Sequence, residues 1–457
     1  MLYCFVLRIH KNNVLIVGAE VFMSTNKDFF KKFKGFFKLS RSERLECLLS
    51  HGFINRNDLS VLQGSSSSNI LDQADNLIEN TIGCLPLPLG LATNCIIDGV
   101  SRLVPMAVEE TSIIAAISSA GKWLSEVGGE IKTHQEGWGV RGQLFFTNPL
   151  ELQKVRDHVK QDERILISKL NSKVAPSMVR RGGGILSIKT RDFEIEGGSN
   201  ALAVDIVFDP CDAMGANLVC QIAEALKGSI FDSIGVYGKL AIVSNLSDCQ
   251  ITKATIIIPN ADPVFAKDIV EAGSIAASDP YRAVTHNKGV LNGVDAVAVA
   301  TGNDWRAIEA SLHGYAAASG QYAPLTRWEY VAGDLIGYFE GPIPVAFVGG
   351  ATNQEVVGVC KKIIGANSSK ELAAVFAAVG LLQNFAALRA LVGDGIVAGH
   401  MRLHIDNLMA ESRANKCEFA PLRAMLEERL CLLGKVTMTD VVELLQHVRL
   451  KHPIVNV

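Results

Sequence analysis

The densest run of chemically capable side chains lies between Arg282 and Arg306. Three cations (Arg282, Lys288, Arg306), three amides (Asn287, Asn292, Asn303), His286 and the carboxylate of Asp304 share a short stretch interrupted by Gly289, Gly293 and Gly302 and set among Ala and Val. Ionised groups in so apolar a setting are costly unless paired, which points to a site for an anionic ligand. A lysine there can hold a developing oxyanion, and a neighbouring carboxylate can tune its charge state. The plainer alternative is a glycine-broken loop of solvated charges. Other groups could complete the chemistry. Glu109 and Glu110 come just before an Ala/Ile-rich stretch, at what would be the positive end of a helix, where capping alone would also account for them. Asp212, Met214, Gly215 and Asn217 follow a strand-like run ending at Asp209 and precede a helical pattern. A strand, a glycine-bearing turn and a helix N-terminus can cradle a phosphate, although without a G-x-G-x-x-G fingerprint an ordinary strand-to-helix turn remains open. Arg180 and Arg181 stand before three glycines, and His400 follows Gly399 in a segment that can also be read as a capping or surface histidine.

Positioning such groups takes a chain with a large core, and this one has it. Its 457 residues exceed a single core and suggest two or three domains, and 48% hydrophobic with 20% charged residues is a globular balance. A net charge of -3 offers no overall basic field, so neither nucleic acid nor an anionic membrane is favoured as a partner. Ten cysteines with no C-x-x-C pair and no metal-ligand spacing read as reduced cytosolic thiols. The long uncharged run between Glu371 and Arg389 is short of a membrane span and reads as a buried core helix.

In chain order, residues 1–22 read as a disordered extension, with Met23 as a second possible start. Ser40 and Glu43 form a capping box opening a helix, and Gly64 with four serines is a flexible link. Asp98-Gly99 marks a hairpin turn, and Ile113 to Leu124 a small-residue helix. From about Gly137 to Ser244 the texture shifts to shorter alternating strands, with Gly197-Gly198 as a turn between two of them. After Ser244 the Ala/Val/Gly-rich texture returns, and from about Asp394 the chain ends in charged amphipathic helices that could swing over a site and exclude water.

Six of these motifs occur together in a known order: Glu79-Asn80-Thr81-Ile82-Gly83, Val104-Pro105-Met106 with Glu109-Glu110, residues 212–217, residues 285–289, residues 302–306 and Gly399-His400-Met401. From about residue 40 to its end the chain resembles class II (bacterial and archaeal) 3-hydroxy-3-methylglutaryl-CoA reductase. The resemblance implies a mixed α/β (α+β) fold: a large CoA-binding domain over residues 23–136 and 245–394, an inserted small non-Rossmann NAD(P)-binding domain over 137–244, and a C-terminal helical flap over 395–457. It implies reduction of 3-hydroxy-3-methylglutaryl-CoA to mevalonate and CoA in two steps, each using a nicotinamide cofactor, within the mevalonate pathway of isoprenoid synthesis. Lys288 would stabilise the oxyanion left by each hydride. Glu110 would supply a proton, a role that asks for a raised pKa. Asp304 would couple the two, and His400 would protonate the departing CoA thiolate. Arg282 would pair with the substrate carboxylate, with Asn292, Glu79 and Asn80 also on the substrate side. Asp212, Met214, Gly215, Asn217, Arg180 and Arg181 would contact the dinucleotide, and no metal is implied. The resemblance further implies an obligate cytoplasmic homodimer with Glu110 facing Lys288 and Asp304 of the partner chain.

Some residues depart from the family pattern. Thr111 replaces a proline usual after the two glutamates, Cys220 an asparagine commonly found after residue 217, and Asn353 a frequent lysine. Where NADH-preferring relatives carry an aspartate before the triple glycine, this chain has Ala175. Without that carboxylate, Lys173, Arg180 and Arg181 could attract a 2′-phosphate, which favours NADPH over NADH. Three other functions remain to be weighed: an NADH-linked enzyme oxidising mevalonate, a CoA-binding homologue without catalysis, and a metal-dependent hydrolase built on Asp304, His286 and His400.

Overall fold

The computed structural model describes residue 26, residues 28–64, 77–393, 417–433 and 436–451, and a few positions between 405 and 415. The expected N-terminal extension, His400 and its glycine therefore lie outside the described residues.

Two short capped helices, α1 (Arg41–Ser50) and α2 (Arg56–Leu62), open the described chain, and α1 starts in the expected capping box, with the Ser40 side chain accepting from the Glu43 N–H and the Glu43 carboxylate accepting from Ser40 N–H. A two-stranded antiparallel hairpin follows, β1 (Leu89–Ile97) and β2 (Val100–Ala107), closing at Asp98-Gly99 with Asp98 at φ 50° and Gly99 at φ 78°. Helix α3 (Ile113–Glu126) packs on it.

Residues 140–236 build their own core. Strands β4 (Val140–Phe146), β5 (Gly184–Ile195), β6 (Ser199–Asp209) and β7 (Ala241–Ser244) form an antiparallel sheet in the order β5-β6-β4-β7. Helices α4 (Leu152–Lys173) and α6 (Ala216–Ile234) cover its apolar face, and the one-turn α5 (Pro176–Val179) lies before β5. A second antiparallel sheet, β3-β8-β10-β9, uses β3 (Glu130–Glu136), β8 (Ile251–Ile258), β9 (Thr326–Val331) and β10 (Asp334–Pro342), taking one strand from before that unit and three from after it.

The main core gathers around α11 (Ser369–Val392), with α10 (Glu355–Ile364) before it. Among the described residues α11 is the one helix long and apolar enough to cross a membrane, yet two thirds of its apolar window is buried inside the molecule (67%). A helix apolar on all sides needs neighbours on all sides, and α11 finds them in α3, β8, α7 (Pro263–Ser278) and α8 (Pro280–Ala300). The segment that the sequence suggests is a glycine-broken loop is the continuous helix α8. Its Gly293 is a packing position, matched by Gly380 on α11: a Cβ on Gly293 would come 3.0 Å from Val379 and 3.1 Å from Gln383, and one on Gly380 would come 3.0 Å from Val290 and Val294, whereas Gly289 faces open space. Two helices pass so closely there that only hydrogen fits. Helix α9 (Trp305–Ala316) follows at once, and the carboxyl-terminal pair α12 (Phe419–Leu433) and α13 (Met438–Lys451) forms a separate apolar cluster.

Candidate active site

Helix α8 starts firmly. The Asp279 side chain accepts from Arg282 N–H at 3.1 Å, and Pro280 takes the first helical position, where its missing N–H costs nothing. Below the helix, Asn287 is buried and fully used: its amide donates to Tyr322 Oη at 3.0 Å and the Ala323 carbonyl at 2.9 Å, and its oxygen accepts from Leu325 N–H at 2.8 Å. His286, 1% exposed, shares its Nε2 with Thr326 Oγ1 at 2.5 Å and Asn384 Nδ2 at 3.0 Å. Burial, reinforced by the nearby Arg282 charge, pushes the His286 imidazole down to about 4, so it is neutral at physiological pH. These two residues anchor α8 to β9 and α11 and leave Lys288 on the outer face. The sequence reading passed over them as anchors; the signal available was that a polar pair inside so apolar a helix must be bonded to be tolerated.

Lys288 Nζ lies 3.1 Å from Glu110 Oε2, with both side chains about half exposed. Glu110 sits in the bend between β2 and α3, and β2 packs directly on α8, so the hairpin delivers the acid to the lysine within one chain. The single chain thus brings Glu110 to its own Lys288, whereas the family resemblance implies Glu110 acting opposite Lys288 and Asp304 of a partner chain. Asn292 follows Lys288 by one turn on the same face and is half-buried. Arg282 is half-buried, has no side-chain partner among the described residues, and is held below the usual guanidinium range by burial alone. A cation desolvated without a counter-ion is poised for an anion.

Asp304 does not reach Lys288 or Glu110 in the single chain. Its Oδ1 caps α9, accepting from Ala307 N–H at 3.1 Å, with Arg306 Nε at 3.4 Å. The turn before it is pinned by Asn303, whose oxygen accepts from Ala346 N–H at 2.7 Å, and by Gly302 at φ 64°, where a Cβ would meet the Ala351 carbonyl at 2.7 Å. Glu79 and Asn80 lie in an exposed turn with Asn80 at φ 56° and make no contact with Lys288.

Residues 180–184 and 209–215, separate in sequence, meet. Cys211 Sγ contacts the Arg181 carbonyl at 3.7 Å, and a Cβ on Gly183 would come 2.5 Å from the Asp209 carbonyl and 2.7 Å from Cys211 Sγ. Arg180 and Arg181 are exposed on this loop, while Ala175 is buried beneath it. Gly215 caps α6 at φ 83°, with Met214 half-buried before it and Asn217 exposed on the first turn. Asp212 is not free: its Oδ1 accepts from Ser369 N–H at 2.8 Å and Oγ at 3.0 Å, and its carbonyl accepts from Phe347 N–H and Val348 N–H. It ties this turn to the start of α11. Cys220 turns toward β7, its sulfur accepting from Val243 N–H at 3.3 Å.

A hydrolase centre on Asp304 and His286 is not what these side chains build, since the imidazole faces Thr326 and Asn384 and the carboxylate caps a helix.

Residues 40–405 match the family model described as hydroxymethylglutaryl-coenzyme A reductase. The 3-hydroxy-3-methylglutaryl-coenzyme A reductase of Archaeoglobus fulgidus is 42% identical over 380 residues, covering 82% of this chain and 86% of that protein, and the probable reductase of Borreliella burgdorferi is 35% identical over 77% of this chain and 82% of its own length. Among solved structures, the class II reductase of Streptococcus pneumoniae bound to NADPH in open conformations superposes with a TM-score of 0.75 at 33% identity, covering 79% of this chain and all of that one (100%). A second structure of the Streptococcus pneumoniae enzyme gives the same TM-score of 0.75 over 91% of this chain. The mixed helix-and-sheet fold, the pairing of an acid with a lysine, and these matches over most of the chain agree: the protein belongs to the hydroxymethylglutaryl-coenzyme A reductase family.

Proposed function

We propose that the protein is a hydroxymethylglutaryl-CoA reductase, converting 3-hydroxy-3-methylglutaryl-CoA and a reduced nicotinamide cofactor, NADPH for preference, to mevalonate and free CoA. The observation that carries this reading is the contact of Lys288 with Glu110 at 3.1 Å, on the same helix as a half-buried Arg282 that has no side-chain partner among the described residues. The bound dinucleotide supplies the hydrides, one for each reduction. Arg282 holds the substrate carboxylate. Lys288 places its ammonium against the thioester oxygen, and its charge grows in value as negative charge develops there. Glu110, in reach of the same point, delivers a proton to that oxygen. Asn292 completes the substrate side, together with Glu79 and Asn80. His400 protonates the leaving thiolate. Since Asp304 caps its own helix away from the pair, a second subunit completes the site, which supports a homodimer.

Residues 137–244 serve as the cofactor domain, residues 23–136 and 245–394 as the CoA-binding domain, and 395–457 as the flap. The separate apolar cluster spanning residues 140–236 supports that division. Met214, Gly215 and Asn217 would hold the dinucleotide, with Asp212 fixing the turn from behind. Ten cysteines without a C-x-x-C pair fit a reducing, cytoplasmic setting.

Purified protein with 3-hydroxy-3-methylglutaryl-CoA should oxidise NADPH, in the presence or absence of a chelator; no oxidation of either NADPH or NADH would refute the reading. A sharper expectation concerns Arg180 and Arg181, the exposed cations of the glycine loop. A charge-assisted contact to a phosphate is worth about 1.5–3 kcal/mol, so Arg180→Ala with Arg181→Ala should raise the KM for NADPH by roughly 10- to 100-fold and leave that for NADH nearly unchanged. Equal effects on both cofactors would show that these arginines do not read the 2′-phosphate.

A further inference from the structure

The turn that leads into α6 is held in an unfavourable shape. Cys211 takes φ 54°, in the left-handed region where an L side chain crowds its own backbone and which glycine enters freely. Its surroundings over-determine it. The Cys211 N–H donates to Asp209 Oδ1 at 2.8 Å, and its carbonyl accepts from the Trp138 indole N–H at 3.1 Å and from Ser369 Oγ at 3.2 Å. Ser369 Oγ also lies 3.0 Å from Asp212 Oδ1, which accepts from Ser369 N–H at 2.8 Å. The Asp212 carbonyl accepts from Phe347 N–H at 2.8 Å and Val348 N–H at 3.1 Å. Residues far apart in sequence thus converge on one strained residue, and strain persists only where the surrounding structure imposes it.

Ser369 was not singled out by any motif. It is the first residue of α11 and is 1% exposed. Capping is done by Ser368, whose hydroxyl accepts from Glu371 N–H at 3.2 Å. Alanine would suit the first turn of α11 at least as well, so the Ser369 hydroxyl serves the turn and not the helix. Trp138, buried just before β4, likewise spends its N–H on the Cys211 carbonyl. The loop that offers the Phe347 and Val348 N–H groups is fixed from behind, because Lys361 Nζ donates to the carbonyls of Phe347 at 2.9 Å and Thr352 at 2.8 Å. Cys211 cannot relax to a right-handed conformation without breaking bonds to these separate segments.

We propose that Ser369 and Trp138 are positioning residues for the dinucleotide: by holding Cys211 left-handed they keep Met214, Gly215 and Asn217 in the receiving arrangement before the cofactor arrives. The inference rests on the reading of those three residues as dinucleotide contacts. A turn already held need not be ordered on binding, and the saved cost appears as affinity. Once released, the turn spends part of its time relaxed, and apparent affinity falls by the fraction of competent molecules. The effect falls on the turn and not on the glycine loop of Arg180 and Arg181, so NADPH and NADH feel it alike.

The test is equilibrium titration of the full chain with NADPH and with NADH, followed by nicotinamide fluorescence without the thioester and well below the melting temperature. Ser369→Ala should raise both Kd values by the same factor, about three- to tenfold, the worth of one hydrogen bond. Cys211→Gly added to Ser369→Ala should bring both back to within about twofold of wild type, since glycine holds positive φ at no steric cost. Trp138→Phe, which keeps a ring and removes the N–H, should weaken binding in the same way and be relieved by the same glycine; it carries the test if Ser369→Ala does not fold. In turnover, Ser369→Ala should raise KM for the cofactor and leave kcat and KM for the thioester within about twofold, a split that partial unfolding, which lowers kcat, cannot produce. Unchanged Kd values in both single variants, a weakening confined to NADPH, or a weakening that Cys211→Gly does not relieve would overturn the proposal. A wild-type chain that binds both dinucleotides yet oxidises neither with 3-hydroxy-3-methylglutaryl-CoA, while the variants bind as expected, would remove the reductase reading and leave the held turn standing.

Discussion

Lys288→Ala is expected to lose about 100- to 1,000-fold or more in kcat while the protein remains folded. The ammonium stands at the outer face of α8, half exposed, with Glu110 as its partner at 3.1 Å. Nothing in the core rests on it, since the helix is held from below by Asn287 and His286. The surface ion pair itself contributes little to stability, on the order of 0–1 kcal/mol. Its value to a reductase lies in the transition state, where the substrate oxygen becomes an anion and the ammonium is already in place; an interaction stronger there than in the ground state acts on kcat and hardly on KM. The measurement is steady-state turnover of Lys288→Ala and of Lys288→Arg, with circular dichroism as the fold control. Retained turnover in Lys288→Ala would remove the lysine from the chemistry.

The second large effect is on stability. Phe385 of α11 is fully buried, and its ring stands 5.5 Å from that of Trp123, 5.4 Å from Trp328 and 6.5 Å from Phe265. Removing it deletes apolar burial and leaves a cavity among large rigid rings that cannot collapse into it, a loss of about 3–5 kcal/mol. That is a large part of the roughly 5–15 kcal/mol that keeps a domain folded. Phe385→Ala should lower the melting temperature of the unit containing α11 by about 5–15 °C, while Phe37→Ala, at a residue 76% exposed, should change it hardly at all. Equal shifts would show that α11 is not the centre of the core. The same substitution reaches the site, because Asn384 next to it bonds the imidazole of His286 and so fixes the height of α8.

Local features were legible from the sequence where one residue type has one cause. Asp98-Gly99 forms a hairpin turn because both residues take positive φ, and Ser40 with Glu43 caps a helix because both side chains find backbone N–H groups. Gly293 was misleading for the opposite reason. Glycine serves a turn through its freedom and a helix crossing through its size, and only the approach of α11 shows that size is what matters in α8. Asp212 illustrates a second limit: its position after a strand and before a glycine suggested a ligand contact, whereas its carboxylate is spent on Ser369, more than 150 residues away in sequence (157). The pairing of Glu110 with Lys288, 178 residues apart, was reached through a family resemblance and not through spacing, and its intrachain geometry was visible only in the fold.

The central claim is that one site performs both reductions of a thioester to an alcohol. It is tested most directly by stoichiometry: with limiting 3-hydroxy-3-methylglutaryl-CoA, the NADPH oxidised is compared with the free CoA thiol released. The expected result is two NADPH oxidised for each thiol, with mevalonate as the product. Thiol release without cofactor oxidation would mean simple hydrolysis, and a single NADPH per thiol would mean that reduction stops at the aldehyde; either would contradict the assignment.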